Sequence, residues 1–392
     1  MSYQASYSQK IVFFTGNRAE YFLLRPIIRV FEERGYWDVT VLVSGAHLDD
    51  SYGHTADLIT EDGWEQVCCV DIPSPDSGAE TASAIGVALT RYVPVLESCD
   101  PKYLVVYADR FEGLAAVISG FHLGINVIHV EGGDITSGGA FDDTYRDVMS
   151  RFASIHWPTS LQAKARLIDL GVLEEDICAI GLPSLDEMEK ATKVRAQDLS
   201  IELGIDISEN SQIILFTYHS IPVLGSDASI ELRHCLAALG DWITKSEDRF
   251  VLVSYPNNDA GGSNIISIIK EFDGTSSRIV LRDTFGLLNI FSIYNLGAHG
   301  VRSLCMGNSS SGIKEASAFG CPVVNVGERQ NGRHRTPNII DVECESGAIL
   351  EALDRAFSSD FFLSCRQVKS PYWFGGAARL ALEDLEKREL GR

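Results

Sequence analysis

The sequence has no HExxH, no Cys-x-x-Cys, no GxSxG and no GxxxxGK[ST]. These absences remove the usual zinc, serine-nucleophile and P-loop readings. It has no run of 18 apolar residues and no cationic-then-apolar opening, which argues against a membrane span or a secretory leader. Basic residues are scarce: 33 Lys and Arg stand against 54 Asp and Glu, a net charge of −21. Such a balance repels nucleic acid and anionic membranes. It does not exclude an anionic small ligand held by a few arginines gathered in one place. The nine cysteines are odd in number, so a reducing compartment and a cytoplasmic location are expected. Cys68, Cys69 and Cys321 lie in apolar stretches and read as small core residues.

What is present is an ordinary globular composition, 45% hydrophobic and 22% charged, in 392 residues. That length exceeds one common core and predicts at least two domains. Apolar runs alternate with helical spacing. Strands are expected at 10–15, 39–43, 103–107 and 126–130, with helices at 18–34 and 111–122. Pro26 should bend the first helix or mark its true first turn. A charged, helical stretch over 185–210 reads as a bridge. Strands resume at 212–217, 250–254, 278–281, 296–299 and 321–326, and 377–390 has helical apolar spacing. The fold class predicted is α/β: two Rossmann-like domains with a ligand cleft between them. The boundaries are 9–185, a linker 186–211, 212–371, and a C-terminal helix in 372–392 packing back on the N-terminal domain. No short-period repeat is visible, and the halves look alike only in being α/β.

Polar residues cluster where the strands end, which is where open α/β sheets bind ligands. Gly307-Asn-Ser-Ser-Ser-Gly-Ile-Lys-Glu315 leads into a helix starting near Gly312. Its unpaired N–H groups and the hydroxyls of Ser309, Ser310 and Ser311 suit an anion, and Glu315 can accept two ribose hydroxyls. The same run also reads as an ordinary N-cap. Arg18 opens the helix after Thr15-Gly16 and can clamp a phosphate. Asp109, Glu131, Asp134, Asp142 and Asp143 supply carboxylates for acid–base work, or equally cap helices and pair with Arg110 and Arg146. His219 follows a strand and can reach a phosphate or an acid. Arg329, Arg333 and Arg335 lie in a loop that can close on a ligand.

In order, Gly16-Asn-Arg-Ala-Glu-Tyr21, Ser44-Gly-Ala-His47 with Tyr52-Gly-His-Thr55, Asp109-Arg110, Glu131-Gly-Gly133, Asp142-Asp143 with Arg146, His219, Gly307-Asn-Ser-Ser-Ser311 and Arg329-Gln-Asn-Gly-Arg333 resemble the hydrolysing UDP-N-acetylglucosamine 2-epimerases. The resemblance spans about residues 10 to 385. That family includes the enzymes feeding sialic and legionaminic acid synthesis. The resemblance implies a fold like the GT-B glycosyltransferases, no metal or redox cofactor, a UDP-2-acetamido sugar as substrate, and a homodimer or homotetramer. It implies loss of the C2 proton as UDP leaves C1, a 2-acetamidoglucal, and addition of water. Asp109, Glu131, Asp142 and Asp143 become the acid–base candidates. His219, Arg18 and Ser309 to Ser311, with Gly312, would hold the diphosphate. Glu315 would hold the ribose, Arg329 and Arg333 would close over it, and His47, Arg110 and Arg146 would line the substrate site.

Three positions depart from the family pattern. Its Gly-Asp-Arg is Ala108-Asp-Arg110 here, its Glu-Gly-Gly-Glu ends in Asp134, and its Ile-Arg-His is Tyr145-Arg-Asp147. If the segment is helical, Asp147 sits one turn beyond Asp143, close enough to raise one carboxyl pKa unless Arg146 or Arg151 folds back on the pair. Three rival readings stay open: a non-hydrolysing epimerase, a GT-B glycosyltransferase and a nucleotide-sugar sensor without turnover.

Overall fold

A computed structural model describes residues 9–50, 54–75, 77–136, 142–219, 228–256 and 262–391. The chain forms two compact units. The first takes Met1–Ile135, Phe141–Asp186 and Trp373–Arg392, and the second is built on Glu187–Tyr372.

The first unit holds β1 (Gln9–Thr15), β2 (Trp37–Ser44), β3 (Val67–Val70), β4 (Tyr103–Tyr107), β5 (Asn126–Val130) and β6 (Ile155–Trp157), in the order β3-β2-β1-β4-β5-β6. Every pair is parallel. The second unit holds β7 (Gln212–Thr217), β8 (Arg249–Ser254), β9 (Ile279–Arg282), β10 (Arg302–Gly307), β11 (Val323–Val326) and β12 (Ile339–Val342), ordered β12-β11-β10-β7-β8-β9. Read from β9, this is the order of the first sheet, again all parallel. The halves therefore share more than a class. Each order reverses at one point, between β1 and β4 and between β7 and β10, the place where open α/β sheets bind ligands, at the strands' carboxyl ends.

The continuous apolar runs are explained by burial on both faces. Along β1, Ile11 and Phe13 enter a core with Leu24, Ile27 and Phe31, while Val12 and Phe14 enter another with Ala88, Tyr92 and Ala116. Each such side chain, fully buried, contributes on the order of 2 kcal/mol of transfer free energy. The Ala377–Leu390 helix lies in the first of these cores through Ala377, Ala378, Ala381, Leu382 and Leu385.

Several expectations need correction. The Arg18–Glu33 helix starts at its Asn17 cap and runs through Pro26, so Pro26 does not mark its first turn. Leu296–His299 is a 3-10 turn, and the strand is β10, whose Leu304-Cys-Met306 run ends at Gly307. The edge strands β3, β6 and β12, of three or four residues, are too short for a periodicity signal. Cys69 is exposed at that edge and Cys68 is half-buried, while Cys321 is buried as expected. Among the described residues no helix is long and apolar enough to cross a membrane.

Candidate active site

In the first unit, the strand tips around the β1/β4 crevice carry a dense polar cluster. Asn17 caps the Arg18–Glu33 helix by accepting from Glu20 N at 3.1 Å. Glu20 in turn accepts from Gly16 N at 2.8 Å, so the strand-to-helix turn is closed from both sides. Glu20 is buried beside Glu112. Burial, and then the neighbouring Glu112 charge, push its pKa up to about 8 against the pull of Arg110. Arg110 donates to the buried Glu112 from Nε at 3.3 Å. Arg18 is the first helical residue and half-buried.

His47 lies in the 3-10 turn after β2 and is fully buried. Its Nε2 is 3.0 Å from Thr15 Oγ1 and its Nδ1 is 2.8 Å from Thr55 Oγ1. Both ring nitrogens are thus engaged by threonines, and burial lowers the pKa to about 4. In this arrangement His47 braces the β1 and β2 tips. Tyr52 and Gly53, named with it in the sequence, lie outside the described residues.

One buried guanidinium organises the acids. Arg146, on the Asp142–Phe152 helix, pairs with Asp109 at the end of β4 and with Asp143 on its own helix, and donates to the Asp134 carbonyl at 3.1 Å. Burial opposes its charge, but Asp109, Asp134, Glu131 and Asp143 together raise its pKa above the ordinary arginine value. Glu131, at the end of β5, is buried and accepts from the Tyr107 hydroxyl. Asp142 is half-buried at the start of the same helix as Asp143. Asp109, Glu131, Asp143, Arg146 and Arg110 are therefore gathered at neighbouring strand ends.

The backbone is unusual at the same place. Ala108 has φ +65° and Glu131 φ +67°, left-handed conformations that cost side-chain-bearing residues energy and concentrate at functional sites. His129 on β5 secures the first of them. Its Nε2 is 2.8 Å from the Ala108 carbonyl and its Nδ1 is 2.9 Å from Ser150 Oγ. A carbonyl only accepts, so Nε2 donates there and Nδ1 accepts from Ser150. Burial drops the pKa of His129 to about 4, consistent with a neutral ring.

In the second unit, Gly307 ends β10 with φ +127°, packed so tightly that a Cβ would overlap the Thr217 carbonyl. Next to it, the fully buried Asn308 side chain accepts from His219 N at 2.7 Å and donates to His219 O at 2.9 Å. Its own carbonyl accepts from Arg329 Nη1 at 3.1 Å and Gln330 Nε2 at 2.8 Å. Arg333, buried, donates to Gln330 Oε1 at 2.6 Å. Arg335 pairs with Asp341, 2.9 Å away, and donates to the Gln330 carbonyl at 2.8 Å. His219, the serine turn and the arginine loop thus meet at one asparagine, to which the sequence reading gave no role.

The helix after Gly307 is shorter than expected. It runs over Ser310–Lys314 with Ser309 as its cap, and Gly312 lies inside it. A 3-10 turn, Ala316–Phe319, follows. Ser311 donates to Glu315 and lies 2.9 Å from the Tyr294 hydroxyl, so these two groups orient its hydroxyl.

Asp147 also differs from expectation. Its Oδ2 lies 2.8 Å from Arg166 Nη2, on the Leu161–Asp169 helix, and not against Arg146 or Arg151. Asn308 lies inside the Gly307–Glu315 motif, though without an assigned role; Tyr107, Glu112 and Arg166 belong to the site's framework, yet no motif flags them, and only their places near strand ends, or on a facing helix, could have done so.

Comparison with known proteins places the chain in a family. The family described as UDP-N-acetylglucosamine 2-epimerase matches residues 29–386. The UDP-N,N'-diacetylbacillosamine 2-epimerase (hydrolyzing) of Legionella pneumophila is 33% identical over 89% of each chain. The UDP-N-acetylglucosamine 2-epimerase of Neisseria meningitidis is 27% identical over 89% of this chain and 88% of its own. A crystal structure of a Neisseria meningitidis UDP-GlcNAc 2-epimerase bound to UDP-GlcNAc superposes with a TM-score of 0.82 at 16% identity, covering 97% of this chain and 100% of that one. A putative UDP-N-acetylglucosamine 2-epimerase from Listeria monocytogenes superposes with a TM-score of 0.81 at 18% identity, covering 99% and 98%. With two Rossmann-like sheets, this chain belongs to the UDP-N-acetylglucosamine 2-epimerase family.

Proposed function

We propose that this member hydrolyses a UDP-2-acetamido sugar with inversion at C2, releasing UDP and the free 2-epimer. The observation that carries the reading is the grouping of Asp109, Glu131 and Asp143 about Arg146 at the tips of β4 and β5. A proton must leave C2 as the C1–O bond to UDP breaks, and water must then add to the 2-acetamidoglucal. Carboxylates at one site can remove the first proton and deliver the second to the opposite face. Glu131, held by Tyr107, and Asp109, held by Arg146, are the two best-placed groups, with Asp142 and Asp143 beside them. Arg329, Arg333, His219 and the Ser309 to Ser311 turn, tied together through Asn308, suit a diphosphate, and Glu315 suits the ribose. Arg18, Arg110 and Arg146 supply further positive charge in an otherwise acidic chain.

The name of the Legionella relative favours a 2,4-diacetamido sugar as the first substrate to test. A Campylobacter jejuni relative, 26% identical, is named for GDP or UDP, so both bases belong in the panel. The experiment is incubation in deuterated water followed by NMR. Free nucleotide and a free 2-epimer carrying deuterium at C2 are expected. A product still attached to the nucleotide would mean the non-hydrolysing reaction.

A further inference from the structure

The turn that carries Glu131 is clamped from two sides. Gly132 lies against the Asp142–Phe152 helix: a Cβ there would come within 2.8 Å of Ser150 Oγ and 2.9 Å of His129 Nδ1. Gly133, at φ +82°, lies against the Leu161–Asp169 helix, where a Cβ would overlap the Ala163 carbonyl. The next residue, Asp134, offers its carbonyl to both helices at once. Arg146 donates from one at 3.1 Å and Arg166 from the other at 2.9 Å. The second arm of Arg166 goes to Asp147, at 2.8 Å.

We propose that Arg166 and Asp147 are positioning residues, a matched pair that fixes the Glu131–Asp134 turn and thereby the aim of the Glu131 carboxylate; the catalytic half of this inference rests on the function proposed above. Two facts favour positioning over bulk stability. A guanidinium spans two acceptors in fixed directions, which a lysine cannot reproduce. The pair is also an indifferent source of stability. Arg166 and Asp147 are 23% and 33% exposed, and Asp147 Oδ1 is buried without a hydrogen-bond partner among the described residues. What the pair does is join the two helices directly while Arg166 holds the Asp134 carbonyl beside an acid–base candidate. Misplacing a reacting group by about 1 Å can cost as much as about 100-fold in rate.

The test compares Arg166→Gln, Arg166→Lys, Asp147→Asn and the double variant Asp147→Asn/Arg166→Gln. The readouts are kcat, KM, UDP affinity, Tm and amide hydrogen exchange of residues 131–136. Arg166→Gln should lower kcat about tenfold to 100-fold. KM and UDP affinity should stay within about twofold, because the nucleotide-holding groups are elsewhere. Exchange should rise at 132–134. Arg166→Lys should not rescue it, and the double variant should be no worse than Arg166→Gln alone. Unchanged kcat and unchanged exchange in Arg166→Gln, with or without a fall in Tm, would overturn the proposal. If the wild-type chain turns over no nucleotide sugar, the functional reading fails separately, and the exchange of 132–134 still decides whether the pair holds the turn.

Discussion

Tyr107 donates its phenolic hydrogen to Glu131, joining the tips of β4 and β5 through side chains just where the backbone hydrogen bonds between the strands end. Glu131→Gln keeps the shape and removes the base, so kcat should fall on the order of 10²–10⁴-fold while UDP affinity holds. Tyr107→Phe should lower kcat about tenfold through loss of one orienting bond to a charged group. Steady-state rates and calorimetric titration with UDP measure both. Wild-type kcat in Glu131→Gln would remove Glu131 from the chemistry.

Asn308 makes the corresponding prediction for the second unit. It holds both backbone groups of His219 and accepts from the arginine loop. Asn308→Ala strands buried polar groups, at a cost of about 1–3 kcal/mol each. UDP affinity should drop at least about tenfold, with a lower Tm. Arg333→Ala should weaken UDP binding with a smaller change in Tm. Unchanged UDP affinity in both would separate this cluster from the nucleotide.

Ala108 sits in a left-handed conformation where the family motif has glycine. That geometry costs a non-glycine residue about 1–2 kcal/mol, while glycine loses about 0.5–1 kcal/mol more in chain entropy. Ala108→Gly should therefore stabilise the protein by up to about 1 kcal/mol, read as a higher urea midpoint at constant slope. A lower midpoint would show that the methyl group's packing outweighs the strain.

Opposed pH effects are built into the first unit. Burial lowers His47 and His129 to about 4 and His156 to about 3. Unfolded histidines titrate near about 6.5, so below that pH the unfolded chain binds more protons and stability falls as acid is added. Glu20 runs the other way. Its folded pKa of about 8 lies above the ordinary 4.5, so its contribution is full below 4.5 and is lost as pH rises through 8. Glu20→Gln should gain stability relative to wild type as pH climbs from 5 to 8. Urea midpoints across that range check the sign, and a Glu20→Gln midpoint that falls relative to wild type as pH rises would refute it.

The fold was legible because its central strands are buried on both faces and write continuous apolar runs into the sequence. Tyr103–Tyr107, Asn126–Val130 and Gln212–Thr217 coincide with their expected bounds. The short edge strands β3, β6 and β12 were not, because three or four residues carry no period, although the edge strand β9 was expected at 278–281 and the central β10 was missed in favour of 296–299. At the site, sequence shows the residues that end strands and open helices. It does not show which side chains those residues hold: Asp147 lies one turn beyond Asp143, as expected, but pairs with Arg166, and the arginine loop is tied to Asn308. Such pairings come from helices that the strand order brings together, and no local signal encodes them.

The Ala377–Leu390 helix has a consequence for how the protein is made. It completes the core on which Ile27, Phe31 and Trp157 pack, yet it follows all of the second sheet in the chain. During synthesis, which delivers the N-terminal part first, the second unit can finish before the first. The nascent first unit must wait with an uncovered apolar face on its Arg18–Glu33 helix until the Ala377–Leu390 helix has been made. Emergence of that helix, not of the first unit's strands, then marks the completion of the half that carries the acid–base cluster.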